Sequence, residues 1–145
     1  MKTTMKIMLL VIAMTMGMRS IAQDRTYKEG SVWNIQFVRT NAGQGVDYLN
    51  SLKTTWKAVQ DEALKQGLIL SYKILDGEAA NSQDFDILLM TEFKNLASME
   101  GMEDKWDAIS KKVVGDMAAM KTLRDSRVSM RTINGGKLMR EIVYK

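Results

Sequence analysis

The fold is decided by two segments with the same apolar pattern, residues 46–66 (VDYLNSLKTTWKAVQDEALKQ) and residues 95–114 (NLASMEGMEDKWDAISKKVV). In both segments the apolar residues recur three and four apart, which is the spacing of one face of an α-helix. The first set is Leu49, Leu52, Trp56, Val59 and Ala63, and the second is Met99, Met102, Trp106, Ile109 and Val113. Each residue of the first set stands 50 positions before its counterpart. We therefore predict two amphipathic helices with equivalent inward faces, of which Gly67 ends the first and Gly115 ends or interrupts the second.

Three strands are predicted around these helices, because apolar and polar residues alternate in three stretches. The stretches are residues 32–40, 68–75 and 85–93. In the first stretch Trp33, Ile35 and Phe37 fall on one face. We expect this face to pack beneath Trp56 and Trp106, since large aromatic side chains are usually buried together.

The sheet face away from the helices is expected to be mixed in character. We assign to it the polar residues Asn34, Gln36, Ser71, Lys73 and Glu92 and the apolar residues Val38, Ile69, Leu75, Leu88 and Met90. An apolar surface of this size is too large to be left in water. The expectation is that a partner subunit or a ligand covers it.

The C-terminal part is predicted to contain a short helical extension and then further strand. Residues 116–125 are typical of a helix, and residues 127–145 alternate again around Asn134-Gly135-Gly136, a turn signal. We favour two short strands in a hairpin over a loop that precedes one terminal strand. The resulting order, strand-helix-strand twice, predicts an α+β domain of the ferredoxin-like split β-α-β type (βαββαβ), with two helices on one face of an antiparallel sheet.

With a Trp-bearing helix after the first strand and a final strand after a small helical segment, residues 30–145 resemble the dimeric α+β barrel superfamily. Its members include NIPSNAP-like proteins, cofactor-free antibiotic-biosynthesis monooxygenases and haem-degrading monooxygenases. The resemblance implies a homodimer in which the exposed sheet faces of two subunits meet. The haem-degrading relatives use a histidine as iron ligand, and this chain contains no histidine. The monooxygenase relatives use residue types that are present here as Asn34, Trp56, Tyr72 and Arg131.

The composition excludes several classes of enzyme, because the chain has no His, no Cys and no Pro. Serine-histidine and cysteine nucleophiles, histidine proton shuttles, ordinary zinc sites and cysteine-ligated iron-sulfur clusters all lack their essential groups. No metal and no cofactor is predicted. Disulfides are also excluded, so the stability of the domain has to come from its core.

The N-terminus has the pattern of a secretory signal peptide spanning residues 1–22. Lys2 and Lys6 precede an apolar run at residues 7–18, and the sequence Ser-Ile-Ala follows, ending at Ala22. The run is shorter than the about 20 residues that a membrane-spanning helix needs. We predict cleavage after Ala22 and a periplasmic or secreted protein, with an uncleaved anchor as the alternative.

The mature chain is then residues 23–145, which we predict to be a single α+β domain. Cleavage removes three of the 21 basic residues and none of the 17 acidic ones, which leaves 18 against 17. A near-neutral chain lacks the cationic excess that nucleic acids and anionic membranes usually require. We therefore expect neither as a partner after cleavage.

The basic residues that remain are concentrated in the tail. They are Lys121, Arg124, Arg127, Arg131, Lys137, Arg140 and Lys145, against Asp125 and Glu141. Two interpretations stay open: a solvated strand edge that discourages aggregation, and a patch that binds an acidic ligand.

The function favoured by the sequence is an exported homodimer that is non-catalytic or binds a small molecule. The candidate ligand-binding residues are Asn34, Gln36, Tyr72, Lys73 and Arg131. The alternative is a cofactor-free monooxygenase or isomerase-like enzyme that uses Asn34, Tyr72 or Arg131 in a cavity between helices and sheet. A third hypothesis is a surface interaction protein that uses its basic tail.

Overall fold

The computed structural model describes residues 25–145 of the chain. Its elements in chain order are β1 (Tyr27–Thr40), α1 (Gly45–Lys53), α2 (Trp56–Lys65), β2 (Ser71–Asp76), β3 (Ile87–Phe93), a 3-10 turn (Ala97–Met99), α3 (Glu103–Val113), α4 (Met117–Val128) and β4 (Arg131–Tyr144). The predicted signal peptide and its cleavage site lie outside the described residues.

The four strands form one sheet in the order β2-β3-β1-β4, and every neighbouring pair is antiparallel. Helices follow β1 and β3, and both helical segments pack on the same side of the sheet. This is the ferredoxin-like α+β arrangement, with strand-helix-strand units that share one sheet. The predicted fold class is confirmed.

The helices are more segmented than the sequence pattern indicates. The first predicted helix breaks between α1 and α2, where the buried Thr55 hydroxyl donates to the Ser51 carbonyl at 2.6 Å. A threonine that bonds back to the preceding turn in this way is known to bend helices. The second predicted helix begins only at Glu103, because Gly101 has a φ of 63° and separates α3 from the 3-10 turn. Gly67, with a φ of 70°, ends α2 as predicted.

The face of β1 that meets the helices is opposite to the one predicted. The register pairs Val32 with Phe93 and Val38 with Ile87, and all four side chains are buried under the helices. Because successive strand residues point to opposite faces, the intervening odd-numbered residues lie on the other side. The expectation that Trp33, Ile35 and Phe37 pack beneath Trp56 and Trp106 is therefore wrong. Both faces of β1 carry apolar residues, so alternation defines the period of the strand without defining which face is inside.

The outer face, the side of the sheet away from the helices, holds six of the ten residues assigned to it. They are Ser71, Lys73, Leu75, Leu88, Met90 and Glu92, which the register places opposite one another in β2 and β3. Asn34, Gln36 and Val38 lie instead on the helix side, and Ile69 is buried in the core just before β2. Asn34, Gln36 and Val38 were misplaced because the inner and outer faces of β1 are the reverse of those predicted.

The C-terminal segment is a single strand, so the predicted hairpin is wrong. β4 runs without a turn from Arg131 to Tyr144 beside β1. Asn134 is accommodated as an extra residue in a bulge, since Phe37 pairs with Gly135 and Val38 pairs with Ile133. The predicted helical extension is present as α4.

The core is divided into two clusters along the sheet. One contains Val38, Tyr48, Leu52, Ile87 and Leu89, and the other contains Ala63, Ile69, Phe93 and Ile109. Trp56 packs against the first cluster and Trp106 against the second. The helical stripes thus face inward as predicted, and a cleft lies between the two clusters.

Candidate ligand-binding cleft

A cavity of about 310 Å³ separates the helices from the sheet at this division of the core. It is lined by Asn34 and Gln36 of β1, Leu89, Thr91 and Phe93 of β3, Trp56 and Gln60 of α2, Trp106 of α3, and Met99. The sheet forms its floor and the two helices form its walls. Its volume is at the lower end of the range for small-molecule sites, about 300–1,000 Å³.

Two tryptophans form the aromatic walls of the cleft. Trp56 meets Tyr72 edge-to-face with ring centroids 5.6 Å apart, and Trp106 meets Phe93 in a similar way at 6.4 Å. Edge-to-face aromatic pairs are energetically favourable. Each indole is therefore stabilised in its position by a second ring.

Polar groups of the cleft are concentrated where α2 crosses β1 and β3. Gln60 and Thr91 are only 6% and 7% exposed, and the Thr91 hydroxyl donates to Gln60 Oε1 at 3.3 Å. Asn34 lies directly opposite Thr91 in the sheet, and Gln36 lies opposite Leu89. Three side-chain amides, each with a donor and an acceptor, thus converge on one cavity.

None of the described residues that line the cleft is ionisable. Residues 25–145 also contain no group of three or more His, Cys, Asp or Glu side chains placed to hold a metal ion. The cleft therefore offers hydrogen bonds and aromatic surface without a formal charge. Such a lining suits an uncharged ligand, because a buried unpaired charge is costly.

The structure brings together two of the five predicted site residues. Asn34 and Gln36 line the cleft. Tyr72 touches its wall through Trp56, but its hydroxyl donates to the Asp61 carboxylate at the surface. Burial, followed by the bond to Asp61, raises the pKa of the Tyr72 phenol.

The other two predicted residues lie elsewhere. Lys73 is on the outer face, with its ammonium 5.1 Å from the centre of the Trp33 ring. Arg131 stands at the start of β4, with its guanidinium 5.7 Å from the centre of the Tyr48 ring. Neither lines the cleft.

Sequence reasoning missed Gln60, Thr91 and Met99 as cleft residues. For Gln60 a signal was present, since it follows Trp56 by four residues and residues at that spacing share a helix face. Thr91 carried no such signal, because its position depends on the register between β1 and β3.

No helix among residues 25–145 has the length and apolar content to cross a membrane. No protein-family model and no curated protein sequence matches this chain. Among solved structures, it is similar to the crystal structure of a dimeric ferredoxin-like protein from an uncultured marine organism. The TM-score is 0.46 and the sequence identity 14%, over 81% of this chain and 90% of that one.

Proposed function

We propose that the protein is an exported homodimer that binds an uncharged, ring-containing small molecule in the cleft. One observation carries the proposal: three side-chain amides and a hydroxyl converge between two indoles, and no ionisable side chain lines the cavity. Indole faces bind planar rings, and amides supply directional hydrogen bonds that select one ligand over another. The cavity volume corresponds to a small ligand.

The enzyme alternative has less support from this arrangement. Proton-transfer catalysis requires an acid or base within hydrogen-bond reach of the substrate. Asn34, Tyr72 and Arg131 were predicted to share a cavity, but only Asn34 reaches the cleft. Binding without acid-base chemistry is the function that the lining supports.

The outer face supports the homodimer. Its central row runs Lys73, Met90, Ile35 and Lys137 across the four strands, and the next row runs Leu75, Leu88, Phe37 and Gly135. Apolar side chains therefore occupy the two middle strands, and the central row ends in a lysine on each edge strand. A second copy of the chain is the occupant that we propose.

Area and charge both favour a second copy. The strands contain 14, 6, 7 and 14 residues; with about 3.3 Å per residue and about 4.8 Å between strands they cover roughly 650 Å². This approaches the roughly 800 Å² that each partner contributes to a stable interface. The face also carries both Lys73 and Glu92, so a twofold arrangement can pair opposite charges.

β4 adds exposed apolar surface on both of its faces. Leu138, Met139, Ile142 and Val143 are all exposed along this edge strand. A long apolar edge strand is prone to pair with another chain. A symmetric dimer would cover part of this surface.

Export rests on the leader at residues 1–22, with its basic start, short apolar run and small-residue end. Secretion suits a domain without cysteine, since no thiol is exposed to oxidation. Mass spectrometry of the protein secreted by its expressing host tests this directly, because cleavage after Ala22 fixes the N-terminus at Gln23.

Calorimetric titration of residues 23–145 with two naphthalene derivatives of the same shape tests the cleft. The probes are uncharged 2-naphthamide and anionic 2-naphthoate. We expect the amide to bind and the carboxylate to bind at least about tenfold more weakly, because the cleft offers no counter-ion.

Gln60→Leu supplies the matched variant, and Gln66→Leu is its control, since Gln66 lies exposed at the end of the same helix. Gln60→Leu should lose 2-naphthamide binding, and Gln66→Leu should keep it. Equal binding of both probes, or full binding by Gln60→Leu, would refute the proposed cleft function.

A further inference from the structure

A second cavity, of about 150 Å³, lies under α4 where this helix crosses the start of α2 and the end of α3. Its polar lining consists of Thr55, Ser110, Arg124 and Arg127, and its apolar lining consists of Trp56, Val59, Val114, Met120 and Leu123. The cavity is separate from the cleft except for the shared indole of Trp56. Nothing in the proposed cleft function involves its two arginines.

The arginines of this cavity have no carboxylate partner among the described residues. The five ion pairs found within residues 25–145 involve neither Arg124 nor Arg127. Asp125, the carboxylate nearest in sequence, pairs with Lys121 at 2.5 Å. Arg127 is half-buried, and its Nε donates only to the Leu123 carbonyl of its own helix, at 3.1 Å.

A third guanidinium, that of Arg131, adds to this positive charge. The positive charge of Arg131, like that of Arg124, lowers the pKa of Arg127. The Nε of Arg131 is buried and has no hydrogen-bond acceptor among the described residues. Arg124 and Arg127 thus lie on neighbouring turns of α4, and Arg131 follows at the start of β4 with an unsatisfied donor.

Tyr48 does not neutralise this cluster. Burial raises the pKa of its phenol even though Arg131 and Arg127 act in the opposite direction. The phenol is therefore uncharged at neutral pH. Burial also lowers the pKa of Arg127, and the nearby Arg131 and Arg124 charges lower it further, against an opposing contribution from Tyr48. Burial and the two neighbouring guanidiniums therefore both disfavour the charge on Arg127.

We propose that this cavity binds a small organic anion, whose charged group lies between Arg124 and Arg127 and whose apolar part lies against Val59 and Leu123. Guanidinium groups present a planar fork of donors that matches carboxylate and phosphate oxygens. The Ser110 hydroxyl lies on the polar side of the cavity, whereas the Thr55 hydroxyl is already bonded to the Ser51 carbonyl. The apolar lining and the small volume indicate a short aliphatic body instead of an inorganic ion.

The test is a titration of ¹⁵N-labelled residues 23–145 with 3-methylbutanoate, isobutyl phosphate and uncharged 3-methylbutanamide at constant ionic strength. We expect saturable shifts of the Trp56 indole resonance with at least one of the two anions and none with the amide. The Trp106 indole should stay unchanged, because it lines only the larger cleft. The two anions identify the headgroup that is preferred.

Arg124→Gln is the decisive variant, since Arg124 is exposed and its replacement leaves the core intact. It should weaken anion binding about tenfold through the loss of one charge-assisted contact. Lys121→Gln removes the same charge from a residue of α4 that does not line this cavity and should change the affinity less than about twofold.

Three results would overturn the proposal: no saturable shift with either anion up to about 50 mM, equal binding of the amide, or unchanged binding by Arg124→Gln. The cleft function is judged separately, because 2-naphthamide should move both the Trp56 and Trp106 indoles. A negative binding result at one site therefore leaves the test of the other site valid.

Discussion

At the scale of single residues, the pair Gln60 and Thr91 explains why the core is divided. A buried amide loses its hydrogen bonds to water and is tolerated only where the protein or a ligand replaces them. Thr91 satisfies Gln60 Oε1, and the Nδ and Oδ groups of Asn34 stand opposite in the sheet. Under the proposed cleft function, these polar groups serve to recognise the ligand.

Thr91→Val should lower the free energy of unfolding by about 1 kcal/mol, because it leaves the buried Gln60 carbonyl without its donor. The double variant Gln60→Leu/Thr91→Val should recover most of this loss, since both partners become apolar. Urea unfolding of residues 23–145 measures both values. A double variant that is less stable than Thr91→Val would show that the pair is structural and would contradict its assignment to ligand binding.

Glu92 on the outer face gives a pH-dependent prediction. The nearby Ser31 hydroxyl, the hydrogen bond donated by the Ser71 hydroxyl and the charge of Lys73 lower the pKa of Glu92 below its ordinary value of 4.5. A lowered pKa in the folded state stabilises the protein above pH 4.5, and this stabilisation is lost as the pH falls through the folded-state pKa.

Ser71→Ala should raise the pKa of Glu92 and reduce stability near pH 7, and the difference from the wild type should vanish in acid. Urea unfolding between pH 2 and pH 7 measures the difference. Ser82→Ala, an exposed loop position, is the control. A stability difference that is the same at every pH would contradict the role of the Ser71 hydroxyl.

The candidate ligand-binding residues show how much of the site the sequence could predict. Asn34 and Gln36 were assigned to the face away from the helices, whereas both lie in the cleft on the helix side. Lys73 was assigned to the outer face and lies there, and Arg131, chosen for its residue type, lies at the start of β4 beside Tyr48. The contacts between β1 and β3 join residues 49 to 61 positions apart, and no local pattern carries that information.

At the scale of elements, β1 shows the limit of reading periodicity. Alternation correctly predicted a strand, and it correctly grouped Trp33, Ile35 and Phe37 on one face. It could not say which face lies under the helices, because the bulkier side chains are on the outer face here. Small β-branched residues, Val32 and Val38, fill the space beneath the helices instead. The helix breaks at Thr55 and Gly101 were not predicted either, because the three-and-four spacing of apolar residues continues across both positions.

Among the α-helices of residues 25–145, α4 alone has no fully buried residue. Its N-terminus depends on Asp116, whose carboxylate accepts from the Ala119 N–H at 2.9 Å. Asp116→Ala should therefore cost about 1 kcal/mol of local stability. Amide exchange of residues 117–128 should accelerate while exchange in β1 and β3 stays unchanged.

Asp107→Ala, on the exposed side of α3, removes the same charge without a cap and serves as the control. Uniform acceleration across the whole domain in Asp116→Ala would contradict the view of α4 as a separately anchored element. Under the proposed anion site, the same variant should also weaken 3-methylbutanoate or isobutyl phosphate binding, because α4 carries both arginines.

At the scale of the whole molecule, the order of elements was predictable and the assembly remains a proposal. Two amphipathic helices between alternating strands were sufficient for the ferredoxin-like topology, because right-handed strand-helix-strand units leave few other arrangements. The sheet then has two different faces: a cleft on the helix side and an apolar face on the other.

Leu88→Asp should dissociate the proposed dimer. Leu88 lies on the outer face between Leu75 and Phe37, so an aspartate there would be buried in the interface without a partner at a cost of several kcal/mol. Sedimentation velocity at micromolar concentration should show a dimer for the wild type and a monomer for the variant. Leu64→Asp, which adds the same charge at an exposed site on α2, should remain dimeric. A wild-type monomer would contradict the assembly.

The three tryptophans allow one measurement to test the central claim that the two faces of the sheet act separately. Trp33 lies on the outer face, whereas Trp56 and Trp106 line the cleft. In ¹⁵N spectra of residues 23–145, 2-naphthamide should shift the indole resonances of Trp56 and Trp106, and dilution through dimer dissociation should shift that of Trp33. The account is contradicted if 2-naphthamide moves Trp33 alone, or if dilution moves the two cleft indoles and leaves Trp33 in place.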